Sequence, residues 1–232
     1  PQGPWLRHLQ TLAICFFLAT AVPVLVLRWV PPPTSMFMLM DRVGGWIGIH
    51  PPYPIVYRWT PSRSISPELK LAVIASEDQK FAEHLGFDLK AMQLALERNQ
   101  SGRRIRGGST ITQQTAKNLF LYPGKSYIRK ALEAYFTLLI EVAWPKERIL
   151  EVYLNIAEFG QGIYGANAAG RHFFQKAASN LNANEAALMA ASLPNPKLLR
   201  IDAPSPYMRK RQGWIRNQMQ RLGGKPALES NN

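Results

Sequence analysis

From Leu9 to Leu27 the chain carries no charged residue, and the run is interrupted only by Gln10, Thr11, Thr20 and Pro23. A helix needs about 20 predominantly apolar residues to cross the hydrocarbon core of a bilayer, and this run meets that length. It is longer than the roughly 7–15 residues of a signal-peptide apolar region, and no small-x-small cleavage pattern follows it. The run is therefore read as a retained membrane anchor rather than a cleaved leader. Arg7 and His8 precede it and Arg28 follows, so charge alone does not set its orientation.

The anchor and its stiff exit, Pro31-Pro32-Pro33, occupy residues 1–33. Residues 34–66, rich in Met, Trp, Gly and Pro and without a clean helical or strand period, are read as a membrane-proximal linker. The short apolar run Met36 to Met40 within it suits packing on the domain or on the membrane surface. The remainder of the 232 residues leaves one domain of roughly 150–200 residues with a sizeable core, assigned to 67–224, and a polar tail at 225–232. Cys15 is the single cysteine, which excludes an intramolecular disulfide. The formal net charge of +13 suits an anionic lipid surface, a phosphorylated substrate or nucleic acid. No nucleic-acid reading motif is present and the anchor argues against one, so no nucleic-acid partner is expected.

From Pro67 onward the periodicity is helical, with helices expected near 67–78, 88–99, 110–120, 127–144, 146–157, 162–175 and 183–193, and an all-α domain follows. Ser66-Pro67 reads as an N-cap and a first-turn proline. The apolar stretch Leu69 to Ala75 then carries Glu77 toward the interior. Adjacent carboxylates at Glu77 and Asp78, with Phe81 and His84 close behind, supply a candidate proton-transfer group with its wall and support. A surface helix end with a locally satisfied histidine is the competing reading of the same residues.

The stretch Arg103 to Asn118 is a basic, glycine-containing loop opening into a Ser/Thr-capped helix, a natural anion site because free backbone N–H groups and the helix dipole point outward. Helical spacing sets Thr110, Gln113 or Gln114, and Lys117 along one side. The Gly-Gly-Ser-Thr run lacks the spacing of a nucleotide P-loop. In Ser126 to Phe136, Arg129 and Glu133 are i,i+4 neighbours, ordinarily a surface pair contributing about 0.3–0.5 kcal/mol. Glu133 nevertheless shares an apolar face with Phe136 and Ile140, which suggests a cleft. Pro145 to Gly160 reads as an amphipathic helix with Ile149, Leu150, Tyr153 and Leu154 in the core, and Gly160, Gly162, Gly165 and Gly170 punctuate the helix expected after it.

Four motifs occur in order: E-D-x-x-F-x-x-H-x-G from Glu77, G-G-S-T-I-T-Q-Q-x-x-K-N from Gly107, R-K-x-x-E-A from Arg129 and K-E-x-I-L-E-x-Y-L-N from Lys146. Over Pro67 to Pro196 the chain resembles the family 51 peptidoglycan glycosyltransferases, including Ala186, Leu188, Ala190, Leu193 and Pro194 of the last family block. Trp144-Pro145 departs from the serine usual before the lysine of the fourth motif. With no transpeptidase segment following, the resemblance implies a monofunctional, membrane-anchored member.

It implies a lysozyme-like helical lobe beside a smaller membrane-facing lobe, polymerising lipid II into glycan strands with inversion at the anomeric carbon and release of undecaprenyl pyrophosphate. By the same resemblance Glu77 is the general base and Glu133 the second glutamate, organising the leaving group or its metal. Arg129 and Lys130 stand at the pyrophosphate, Lys117 in the donor region, and Asp78, Phe81 and His84 around Glu77. Ser109, Thr110, Gln113, Gln114 and Asn118 line the donor side. No cofactor is required by this reading, although a divalent cation, Mg or Mn, at the pyrophosphate through Glu133 is compatible with it. The expected partners are lipid II, the growing glycan chain, membrane lipids and other wall-synthesis or division proteins. The expected location is the bacterial cytoplasmic membrane, single-pass, with the catalytic domain on the periplasmic side. A glycan-cleaving enzyme and a silent anchored scaffold are the competing readings, and the cationic set of Lys117, Arg129 and Lys130 argues against the first.

Overall fold

The apolar N-terminal run forms a single helix, α1 (Pro4–Leu27), long and apolar enough to cross a membrane. The computed structural model describes residues 4–90, 92–93, 97, 108–124 and 126–223. Most of the helix expected at 88–99, Arg103 to Gly107 of the basic loop and the 225–232 tail lie outside the described residues.

The chain then folds as a mostly helical body, as expected, with more order in 34–66 than a linker implies. Met36–Trp46 is a helix, α2, whose N-terminus is capped by Ser35 accepting from the Met38 N–H. Gly44 and Gly45 near its end obscure the helical signal in the sequence, since glycine is a poor helix former. Val56–Tyr57 forms a short strand, β1. Asn155 fastens the chain just beyond it, accepting from the Thr60 N–H at 2.7 Å and donating to the Thr60 carbonyl at 2.9 Å.

At the centre lies α3 (Pro67–Glu77), capped by Ser66 with Pro67 in its first turn. Leu69 and Leu71 to Ala75 are all buried, as a helix apolar on nearly every side must be. Its neighbours in the fold are the later helices α8 (Ala183–Ser192) and α9 (Pro206–Arg221), and the alanines of α8 permit close approach. A second group joins α4 (Ile111–Phe120), α5 (Tyr127–Ala143) and α6 (Lys146–Ile156), with α4 packed on both others. The core residues predicted on α6, Ile149, Leu150, Tyr153 and Leu154, are buried.

The helix expected over 162–175 is shorter. A hairpin of β2 (Glu158–Gly160) and β3 (Ile163–Tyr164) comes first, and β1 joins β3 in parallel to complete a three-stranded sheet ordered β1-β3-β2. Gly162 turns the hairpin at φ +72°, where a Cβ would lie 2.5 Å from the Pro54 carbonyl oxygen. The helix, α7, therefore runs only over Ala166–Phe174. Before α6, Pro145 occupies the cap position, one residue ahead of the first helical turn, and makes no side-chain cap hydrogen bond.

Candidate active site

Glu77 is the last residue of α3 and opens onto a cavity of about 250 Å³ shared with Asp78, Ser109 and Thr110. Its Oε2 accepts from Gln114 Nε2 at 3.0 Å, and its Oε1 faces Arg211 Nη2 at 3.3 Å. Tyr153 donates its hydroxyl to Gln114 Oε1 at 3.1 Å, which fixes the amide so that its NH₂ points at the carboxylate. Burial, followed by the charge of Glu77, pushes the Tyr153 phenol well above its usual range, so it stays protonated as this donor. Glu77 is thus a nearly buried carboxylate held on two sides, with a face toward the cavity.

Asp78 does not share that freedom. It caps the end of α3, accepts from His84 Nε2 at 2.8 Å through Oδ1 and from the Ile111 N–H at 3.0 Å through Oδ2. Burial raises its pKa, opposed by the hydrogen bond to His84. Phe81 is fully buried, with His84 at its edge and Lys146 Nζ 4.7 Å from its ring centroid. Lys146 donates to the His84 carbonyl at 2.6 Å and to Glu141 at 2.8 Å. Asp78, Phe81 and His84 therefore form the support behind Glu77, joining α3 to α4, α5 and α6.

The hydroxyl and amide residues at the start of α4 divide between two tasks. Thr110 and Gln113 make a reciprocal capping box, and Thr110 also donates to the Gly86 carbonyl at 2.7 Å. Both are buried, so Gln113 serves the helix end, whereas Ser109 and Thr110 border the Glu77 cavity. One turn on, Gln114, Lys117 and Asn118 line a second cavity of about 170 Å³ together with Phe37 and Glu158. Gln114 belongs to this cavity and bonds Glu77, so it stands between the two.

The cationic group is assembled by α4 and α5. Glu133 is 2% exposed, and Arg129 Nη1 donates to its Oε2 at 2.6 Å while Lys130 Nζ meets its Oε1. Burial lowers the pKa of Lys117, and the charge of Glu133 opposes that. Arg129 and Lys130 thus grip one buried carboxylate, with Lys117 close enough to feel its charge, and the net positive charge of the group suits an anionic ligand. Arg129 and Lys130 engage both Glu133 oxygens, and among the described residues no group of three carboxylate, imidazole or thiol side chains converges.

Arg211 is the site residue that sequence reasoning passed over. It lies on α9, whose buried Met208, Ile215 and Met219 mark one face, and position 211 falls on that face. A cation at a core-facing position is the signal it left.

The transglycosylase family model matches residues 53–220. A protein of Ectopseudomonas mendocina named biosynthetic peptidoglycan transglycosylase is 52% identical over 222 residues, 96% of this chain and 91% of its own length. Proteins of the same name from Haemophilus influenzae and Pseudomonas syringae pv. tomato are 50% and 51% identical, covering 94% and 98% of this chain and 89% and 96% of their own. With the family model spanning most of its length and half its residues shared with these relatives, the chain belongs to the peptidoglycan transglycosylase family.

Proposed function

We propose that this chain polymerises lipid II into peptidoglycan glycan strands, with Glu77 as the general base. The acceptor sugar 4-hydroxyl binds in the Glu77 cavity and its oxygen attacks the anomeric carbon of the growing chain. The new C–O bond forms as the bond to the pyrophosphate oxygen breaks, the proton passes to Glu77, and undecaprenyl pyrophosphate leaves with the electron pair. Attack from the face opposite the leaving group inverts the anomeric carbon.

The observation that carries this reading is the separation of tasks across Gln114. A carboxylate with an open face lies on one side, and Lys117, near Arg129 and Lys130, lies on the other. Hydrolysis of a sugar–sugar bond creates no phosphoryl charge for those cations to stabilise. Glu133 acts by aiming Arg129 and Lys130. This reading assigns the leaving-group charge to these cations, so activity is expected to survive chelation by EDTA, and its complete loss, restored by Mg²⁺ or Mn²⁺, would assign that charge to a metal instead.

The apolar α1 supports a membrane location, and we place the catalytic body on the periplasmic face of the bacterial cytoplasmic membrane, where other wall-synthesis proteins would be its neighbours. The deciding experiment follows lipid II consumption by wild type and Glu77→Gln in detergent, with products resolved by size. Long polymer from wild type, and a loss of at least roughly a thousandfold in a folded variant, is the expected result. Cleavage of preformed glycan would move the assignment to a hydrolase, and equal polymerisation by the variant would remove Glu77 as base.

A further inference from the structure

Glu158, at the start of β2, is a further carboxylate beside the site, to which the reading above gives no task. It lines the second cavity together with Lys117 and Asn118. The cavity thus offers a cation, Lys117, with Glu158 in the same wall. The Glu158 side chain is 12% exposed, and its Oε1 accepts from the Gly162 N–H at 3.1 Å while Lys197 Nζ stays 3.9 Å away. Lys197 is committed elsewhere, to Asp41 Oδ1 at 2.9 Å and the Tyr53 hydroxyl at 3.0 Å, and Tyr164 donates to the other oxygen of Asp41 at 2.7 Å. The charged and titratable groups around Glu158 are therefore Lys197 after α8, Asp41 of α2 and Tyr164 of β3, and Lys117 lines the same cavity. Lys197 makes only a loose ion pair with it.

We propose that Glu158 is a donor-binding residue, setting a neutral carboxyl group against an oxygen of the phosphorylated donor. The inference rests on the lipid II reading, since it requires an anionic ligand beside Lys117. A carboxylic acid can donate a hydrogen bond to a phosphoryl or sugar oxygen, whereas a carboxylate in the same place repels the phosphate. The protein holds Glu158 in the useful form near neutrality: burial raises its pKa to about 7, with Lys197 pulling the other way. Donor affinity then depends on the fraction of Glu158 that is protonated.

The test is the affinity of full-length protein in detergent for fluorescent lipid II between pH 6 and pH 8, measured as binding rather than turnover. Wild type is expected to lose about tenfold in affinity across that range, in proportion to the competent fraction. Glu158→Gln, whose amide still accepts from Gly162, should show a flat profile. Lys197→Met keeps Glu158 but removes the cation that favours its charged form, so the midpoint should move to higher pH. A Glu158→Gln profile parallel to wild type, or an unmoved midpoint in Lys197→Met, overturns the proposal. Binding that follows the expected profile without any polymer formation would count against the polymerase reading alone.

Discussion

The Arg211 guanidinium and the Gln114 amide fix Glu77 in one orientation, and the two contacts differ in kind. Gln114 supplies direction, whereas Arg211 sets a positive charge beside the carboxylate. Arg211→Gln, which keeps an N–H donor but removes the charge, should lower kcat roughly tenfold with KM little changed. Steady-state kinetics of the folded variant check this, and a lowered melting temperature with unchanged kcat would make Arg211 a packing residue. Glu158 carries a stability consequence that does not depend on substrate. Its folded pKa of about 7 lies above the unfolded value near 4.3, so between those values the folded state holds a proton the unfolded state has lost. Wild-type stability then falls as pH rises through that window, by on the order of 2 kcal/mol after allowance for partial solvent access. Glu158→Gln should accordingly melt above wild type at pH 8, with the margin shrinking at pH 5 and vanishing near pH 4.

The segment between α3 and α4 is held where Gly86 passes under α5. Gly86 has φ +82°, and a Cβ there would lie 2.6 Å from Thr137 Cγ2 and 2.9 Å from Glu141 Cγ. Its carbonyl takes the Thr110 hydroxyl, so the glycine fixes the start of α4 and with it the reach of Gln114 and Lys117. Gly86→Ala should cost about 2–4 kcal/mol through backbone strain and overpacking, read as a lowered melting temperature, with activity falling further than stability alone explains. The glycine ending the first motif was legible in the sequence, as were the Ser66-Pro67 cap, the apolar α3 and the burial of Glu133 beside Phe136. In each case local pattern and final packing agree. What stayed hidden was decided by distant chain. β1 is extended because it pairs with β3 far along the sequence, and the hairpin at Gly162 needs Pro54 against it. Arg211 reaches Glu77 across more than half of the chain, which no local period encodes.

At the scale of the molecule, α1 is fastened to the catalytic body rather than trailing from it. Trp144 Nε1 donates to the Val24 carbonyl at 2.7 Å, Arg28 donates to the Ala143 carbonyl at 2.7 Å, and Arg148 donates to the Leu27 carbonyl at 2.8 Å. The bonds to Val24 and Leu27 satisfy carbonyls at the end of α1 that have no partner within it, and the Arg28 bond does the same for the last carbonyl of α5. Deeper along α1, Thr20 and the Tyr135 hydroxyl lie 2.7 Å apart, and Thr20 is about 10 Å back from Leu27 at the helical rise of about 1.5 Å per residue. A span that places Leu27 at the membrane surface therefore draws the middle of α5 below it. The exposed side chains there are apolar, Leu138 and Val142, and α2 presents Leu39, Met40, Val43 and Trp46 in the same manner. Such a surface is costly in water and suited to the headgroup–acyl boundary, and it would bring Lys117, Arg129 and Lys130 to the level of a lipid pyrophosphate. Replacing Leu138 and Val142 together by Glu should leave polymerisation in detergent near wild type, since neither side chain is buried. In bilayer nanodiscs carrying lipid II the same variant should lose roughly tenfold or more, because carboxylates are expensive below the membrane surface. Equal losses in detergent and bilayer would point to damage within α5, and full activity in both would mean that the body rides above the membrane on α1 alone.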